Sequence, residues 1–420
     1  MQDQIDVQYA VNHQYLKSNS AGTVFMAIEI HSLKKFEESS KTSILSLVID
    51  CSSSMRGEKF KQAKESALDL FGLLGDNDYL SVISFHKSAK VSLPSSKKSE
   101  SDSAENIIRN LQLGIGTNIY EGLALAYKEI SKQTIEPEGN NNNNTITRRI
   151  VLLTDGQASA GKTEEKDFVS LSKKIREDGG ITIGTIGIGD DYDQQLLHAI
   201  AETGGGVPYH VKEAIDLHTI FNKQADELSS TLIISPSFTI TMMPGAKIQE
   251  VYTVTPTLRK QNVDKSNSNR YVARLKDIII GQRQTLALRV DLPERPPGTY
   301  RLARIELNDL IKNIEVVYTD NPQLYSKETD PYPRMILTCS EVTSLVNRGV
   351  QAGDEETIIK AKTLMNDLSQ DKDFENVMTK RPLIMKMAAT IRRVIERISQ
   401  GPLTESEKRE AIQDTTTFFR

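Results

Sequence analysis

Ile44-Leu45-Ser46-Leu47-Val48-Ile49-Asp50-Cys51-Ser52-Ser53-Ser54 carries an apolar run into a carboxylate, a thiol and three hydroxyls. Ile, Leu and Val with little alternation are the pattern of a strand buried on both faces, as in parallel sheets covered by helices. A strand of that kind ending on Asp and Ser places polar groups on the sheet rim, where α/β folds bind ligands. Alternate residues of an extended segment point the same way, so Asp50, Ser52 and Ser54 face one side. Two further loops answer this one: Gly114-Ile115-Gly116-Thr117-Asn118 and Leu152-Leu153-Thr154-Asp155-Gly156.

Asp50 and Asp155 supply carboxylates, and Ser52, Ser54 and Thr117 supply hydroxyls. Five hard oxygen donors without His or Cys suit Mg²⁺, or alternatively Mn²⁺ or Ca²⁺, better than zinc, copper or iron. Two carboxylates neutralise a divalent ion, and Mg²⁺ wants about six oxygens. A solvent-facing position would then admit an Asp or Glu of another protein, which makes the site a docking point.

Outward from that stretch, residues 44 to about 230 alternate short apolar strands with helical patterns, which predicts an α/β, doubly wound, mostly parallel sheet of Rossmann-like layout. The strands are expected at 44–50, 79–85, 148–155 and 181–189, with an edge strand at 89–94. Phe60, Ala63, Ala67, Leu70, Phe71 and Leu74 form the apolar face of a helix over 57–74. Further helices are expected at 119–134, 164–178, 193–203 and 213–230. The Asn140–Asn144 run reads as a surface loop. After 231 the period changes to two, as in Phe238, Ile240, Met242 and Leu286, Leu288, Val290, which predicts an antiparallel β-sandwich. Thr23–Ile30 has the same composition and should join it. From about 323 helical spacing returns, with Ile358, Ala361, Leu364, Met365 and Leu368 on one face. The expected domains are therefore N-terminal sandwich strands at 1–40, the α/β domain at 41–230, the β-sandwich at 231–322 and a helical region at 323–420.

Asp50-Cys51-Ser52-Ser53-Ser54-Met55, Gly116-Thr117-Asn118-Ile119 and Leu152-Leu153-Thr154-Asp155-Gly156 together resemble the metal-ion-dependent adhesion site of a von Willebrand factor A domain. Thr185-Ile186-Gly187-Ile188-Gly189 and Thr203-Gly204-Gly205-Gly206 are similar to that family's last strands. The resemblance covers residues 44 to about 225 and implies an intact site at Asp50, Ser52, Ser54, Thr117 and Asp155. The flanking sandwich resembles the arrangement in inter-α-trypsin-inhibitor-like and calcium-activated-chloride-channel-like members. The family implies a non-enzymatic, metal-dependent protein-interaction module, an adaptor or scaffold in a larger assembly. Its intracellular members imply an AAA+ ATPase or multiprotein complex as partner.

Other readings have less to stand on. Glycines 184, 187 and 189 lack nucleotide-loop spacing, and no Walker sequence occurs. A metal-dependent phosphohydrolase using the same site would need a general base or a second metal near Asp50 and Asp155, and the motifs offer no candidate. A hydrolase with Ser52 or Ser54 as nucleophile and His86 as base lacks a Gly-Xaa-Ser-Xaa-Gly elbow, and His86 follows a different strand with no evident orienting acid. A structural metal site that never docks anything is a third reading. Asp190, Asp191 and Asp193 read as helix-capping acids, and Cys51 as a small buried hydrophobe. Lys380-Arg381, Lys386, Arg392-Arg393 and Arg397 read as a solvated helix face beside Glu396 and Glu405. The 420 residues imply two or three domains, and a net charge of −4 gives no drive toward nucleic acid. Two cysteines, no signal-peptide pattern in residues 1–6 and no apolar run of membrane length lead to the expectation of a soluble, cytoplasmic protein.

Overall fold

A computed structural model of the chain describes residues 5–33, 42–134, 146–263 and 269–417. The asparagine run at 140–144 lies outside the described residues. Chain contacts divide the molecule into two compact units, Phe36–Ser235 and the combination of Met1–Lys35 with Pro236–Arg420.

The first unit is built on a six-stranded sheet. Its strands are β1 (Thr42–Asp50), β2 (Tyr79–Phe85), β3 (Ala89–Lys97), β4 (Ile146–Thr154), β5 (Thr182–Ile188) and β6 (Gly205–Val211). Their spatial order is β3-β2-β1-β4-β5-β6, all parallel except β3, which runs antiparallel to β2 at one edge. The apolar runs sit in the central strands and are buried along almost their whole length, as strands covered on both faces must be. Ile44 and Val48 face a cluster completed by helices α2 (Ile119–Ser131), α3 (Glu165–Gly179) and α4 (Gln194–Thr203). Leu45, Leu47 and Ile49 point the opposite way and are equally buried. Helix α1 (Glu58–Leu73) turns Phe60, Ala63, Ala67, Leu70 and Phe71 inward and packs beside α5 (Leu217–Ser230).

Strand β6 escapes the apolar-run criterion because Gly205, Gly206 and Pro208 dilute it. As an edge strand it tolerates proline. Gly206 is needed for closeness, since a Cβ there would stand 2.2 Å from the Ile183 carbonyl oxygen. The chain visits β2 and β3 on one side of β1, then crosses to β4 on the other. The carboxyl ends of β1 and β4 therefore flank the point where strand order reverses.

The second unit contains two five-stranded sheets. One has the order Ile5–Val11, Gly22–Ser32, Arg283–Leu292, Lys247–Thr255, Arg259–Gln261. The other runs Arg270–Arg274, Ser237–Met242, Gly298–Leu307, Leu310–Thr319, Tyr15–Lys17. The N-terminal strand pairs with the later one in register, Ile28 opposite Leu286, so the α/β unit is inserted in sequence within the β unit. One pairing departs from the antiparallel expectation: Leu310–Thr319 and Tyr15–Lys17 run parallel. The three-residue segment lies between two strands of the other sheet and crosses over to this edge instead of turning back as a hairpin.

The helical region is not a separate bundle. Ala27, Tyr252 and Ala287 of the first sheet share one core with Met335, Val342, Met365 and Met387 of the helices. Pro333 and Pro382 fall in the first turns of Tyr332–Ala352 and Pro382–Ser399, where a missing N–H costs nothing. The joint is polar as well. Buried Glu29 accepts a hydrogen bond from the Tyr332 hydroxyl, pairs with Arg283 at 3.1 Å, and lies near Arg381, whose guanidinium sits 4.2 Å from the Tyr332 ring centre. The basic run is largely engaged: Arg393 pairs with Asp414, and Arg397 with Glu407 and Glu410. Among the described residues, no helix is long and apolar enough to cross a membrane.

Helix α2 approaches the sheet so closely that a Cβ on Gly122 would lie 3.0 Å from Val48 Cγ1 and 3.2 Å from the Phe85 ring. Gly122→Val should therefore overpack this layer and lower stability by about 1–3 kcal/mol, read as a lower urea midpoint; an unchanged or higher midpoint would contradict the packing.

Candidate functional site

Asp50 is the last residue of β1, and Asp155 follows Thr154, the last residue of β4. Adjacent parallel strands thus deliver two fully buried carboxylates to the same rim. The Asp50 carboxylate accepts the Ser52 N–H at 2.7 Å through Oδ1 and the Thr154 hydroxyl through Oδ2. Ser54 Oγ donates to Asp155 Oδ1 at 2.7 Å. The Ser52 and Ser54 hydroxyls lie 2.8 Å apart, in hydrogen-bond contact with each other. A chain of oxygens therefore runs from Asp50 through Ser52 and Ser54 to Asp155.

Thr117 comes from the loop before α2. A Cβ placed on Gly156 would stand 3.7 Å from Ser54 Oγ and 3.8 Å from Thr117 Oγ1, which brings that third hydroxyl to the same hollow. Several bonds pin the loop. Gly114 N–H donates to the Cys51 carbonyl at 2.7 Å, Thr117 N–H to Ser159 Oγ at 3.1 Å, and Asn118 N–H to the His86 carbonyl at 2.7 Å. Asn118 also caps α2 by accepting the Glu121 N–H. All five residues singled out from sequence thus converge.

The electrostatics are unbalanced. Asp50 is pushed up from 3.8 to about 6, first by burial and also by the neighbouring Asp155, against the pull of the Thr154 and Ser52 hydrogen bonds. Lys59, in the first turn of α1, donates its ammonium to Asp155 Oδ2 at 2.7 Å. It is the one cation bonded to either carboxylate among the described residues, which leaves two acids facing one base.

Sequence reasoning missed Lys59 and Thr154. Lys59 stands five residues beyond Ser54, where only the turn into α1 brings it back. Thr154 is the last residue of its strand, and nothing local in Leu152-Leu153-Thr154-Asp155-Gly156 marks its hydroxyl as a partner of Asp50. Both bonds exist only once β1, β4 and α1 are assembled. His86 is placed differently from a catalytic base: its ring packs on Gly114, 2.6 Å from where a Cβ would sit, while the serine hydroxyls bond each other and Asp155. Cys51 is fully buried, its thiol pushed up to about 12 mainly by that burial, as befits a packing residue. Asp193 caps α4 by accepting the Leu196 N–H at 3.0 Å.

Residues 45–223 match the family model of the von Willebrand factor type A domain. The chain is 28% identical over 267 residues to the uncharacterized protein sll0103 of Synechocystis, covering 63% of this chain and 60% of that protein. It is 28% identical over 200 residues to inter-alpha-trypsin inhibitor heavy chain H4 of Bos taurus, covering 46% of this chain and 21% of that one. This chain therefore spans less than two thirds of either relative. A von Willebrand factor type A structure from Catenulispora acidiphila superposes with a TM-score of 0.73 at 16% identity, covering 100% of this chain and 98% of the other. The α/β unit is a von Willebrand factor type A domain.

An acid titrating near 6 in the folded protein but near 3.8 unfolded makes the folded state lose stability as pH rises between those values, by about 3 kcal/mol in full. In EDTA the wild type should accordingly be less stable at pH 7.5 than at pH 4.5. Asp50→Asn should remove most of that slope in denaturant-melt series across pH. A parallel pH profile for both proteins would contradict the assignment to Asp50.

Proposed function

We propose that this von Willebrand factor type A domain holds a divalent cation, Mg²⁺ first among candidates, at Asp50, Ser52, Ser54, Thr117 and Asp155. Through it the domain docks an Asp or Glu side chain of a partner protein, as a non-enzymatic adaptor within a larger assembly of the kind built around an AAA+ ATPase. The carrying observation is the convergence of two fully buried carboxylates and three hydroxyls at one strand-order switch, with one ammonium, that of Lys59, bonded to Asp155. Like charges buried side by side call for a cation, and an all-oxygen donor set with neutral hydroxyls suits a hard one. When bound, the ion supplies positive charge for an incoming carboxylate.

The chain's own groups do the positioning. The Ser52 N–H and Thr154 hydroxyl hold Asp50 in one orientation, and Ser54 and Lys59 hold Asp155. The loop bonds of Gly114 and Asn118 fix Thr117. The hydrolase alternative with His86 as base has no support, because the His86 ring packs on Gly114 while the serine hydroxyls bond each other and Asp155. A reducing, cytoplasmic setting belongs to the proposal and is supported by two buried, unpaired cysteines, Cys51 and Cys339.

Pull-down from lysate of the source cells, with wild type and Asp50→Ala, each in Mg²⁺ and in EDTA, tests the reading. Capture of a partner by wild type in Mg²⁺ alone is expected; identical captures in all four conditions would overturn docking through the ion. Thr117→Ala should likewise lose capture while its thermal melt in EDTA stays within a few degrees of wild type. A collapsed melt with metal removal alone would favour a structural role for the ion.

A further inference from the structure

Ile115 is 81% exposed, the most exposed of the large apolar side chains among the described residues. Single exposed hydrophobics are ordinary on protein surfaces, so its surroundings decide its meaning. It stands two residues from Thr117, between two glycines whose geometry leaves little freedom. Gly114 abuts the His86 ring and donates to the Cys51 carbonyl, and the segment forms a bridge to Ser52. Gly116 adopts φ +86°, a left-handed conformation, and a Cβ there would lie 3.2 Å from the Lys87 Cα. A loop held at both ends this tightly, with the left-handed turn that only glycine adopts readily, presents the isoleucine outward as a fixed feature. The neighbouring Lys87 is exposed as well and adds positive charge on this side of the site.

We propose that Ile115 is the specificity anchor of the docking surface, and that the partner presents an acidic side chain with an aliphatic or aromatic side chain two positions away on the same face of an extended segment. The spacing follows from chain geometry. Ile115 and Thr117 stand two positions apart with only Gly116 between them, so their Cα atoms lie no more than about 7 Å from each other. In an extended ligand, side chains at i and i+2 share one face at about that separation. The acid reaches the oxygen cluster while its neighbour covers Ile115. The proposal deepens the docking reading above and rests on it.

The probe is a phage-displayed library of nine-residue peptides with a fixed central Asp or Glu, selected on the full chain in Mg²⁺. Selected peptides should carry an apolar residue two positions from the acid. Ile115→Ser should weaken them at least about tenfold, Ile115→Leu should restore most of the affinity, and Mn²⁺ affinity should be equal in all three proteins. Peptides that lack the apolar neighbour, or that bind Ile115→Ser as tightly as wild type, would overturn the anchor while leaving metal-dependent docking intact. Failure to select any Mg²⁺-dependent peptide would overturn the docking reading together with the anchor, and loss of Mn²⁺ binding in Ile115→Ser would replace the anchor by a loop-folding role.

Discussion

Two carboxylates buried at the ends of neighbouring parallel strands repel each other, and the arrangement of the α/β unit around them answers that repulsion. Asp50 and Asp155 arrive together because β1 and β4 pair in parallel register at the reversal of strand order. Each finds donors from elsewhere in the fold: backbone N–H and Thr154 for the first, Ser54 and Lys59 for the second. Desolvation still dominates at Asp50, whose carboxyl remains near 6. Residual negative charge in a rigid, oxygen-lined hollow is the physical basis for reading the rim as a cation site.

Rigidity comes from the layers beneath. The central strands are buried on both faces, and α2 closes on them through Gly122. The loop carrying Thr117 is bonded to the residues after β1 and after β2, so the third hydroxyl moves only if the sheet does. Preorganised ligands lose little conformational freedom when something binds them. The β unit shows a different economy, with one sheet serving both the β core and the helical region through Ala27, Tyr252 and Ala287.

Much of the α/β unit was legible because buried parallel strands leave unalternating Ile, Val and Leu runs, and because strand-end Asp, Ser and Thr stand out against them. The site residues were legible for the same reason: Asp50, Ser52, Ser54, Thr117 and Asp155 lie in short motifs at element ends. Strand β6 was marked only by the family likeness of Thr203-Gly204-Gly205-Gly206 and not by any periodicity, since its glycines and proline satisfy contacts instead. Lys59 and Thr154 were hidden because an ion pair or a side-chain bond between separate elements has no local pattern. The shared core of sheet and helices was hidden too. Ala27 and Ala287 are small residues inside strands, and only the register reveals that they face helices.

The most direct test of the central claim is anomalous diffraction from crystals grown with Mn²⁺. The account predicts one strong peak within about 2.5 Å of oxygens from the Asp50, Ser52, Ser54, Thr117 and Asp155 set, absent from crystals of Asp50→Ala. Ordered crystals with no peak at this rim, or with the ion held by other residues, would contradict it.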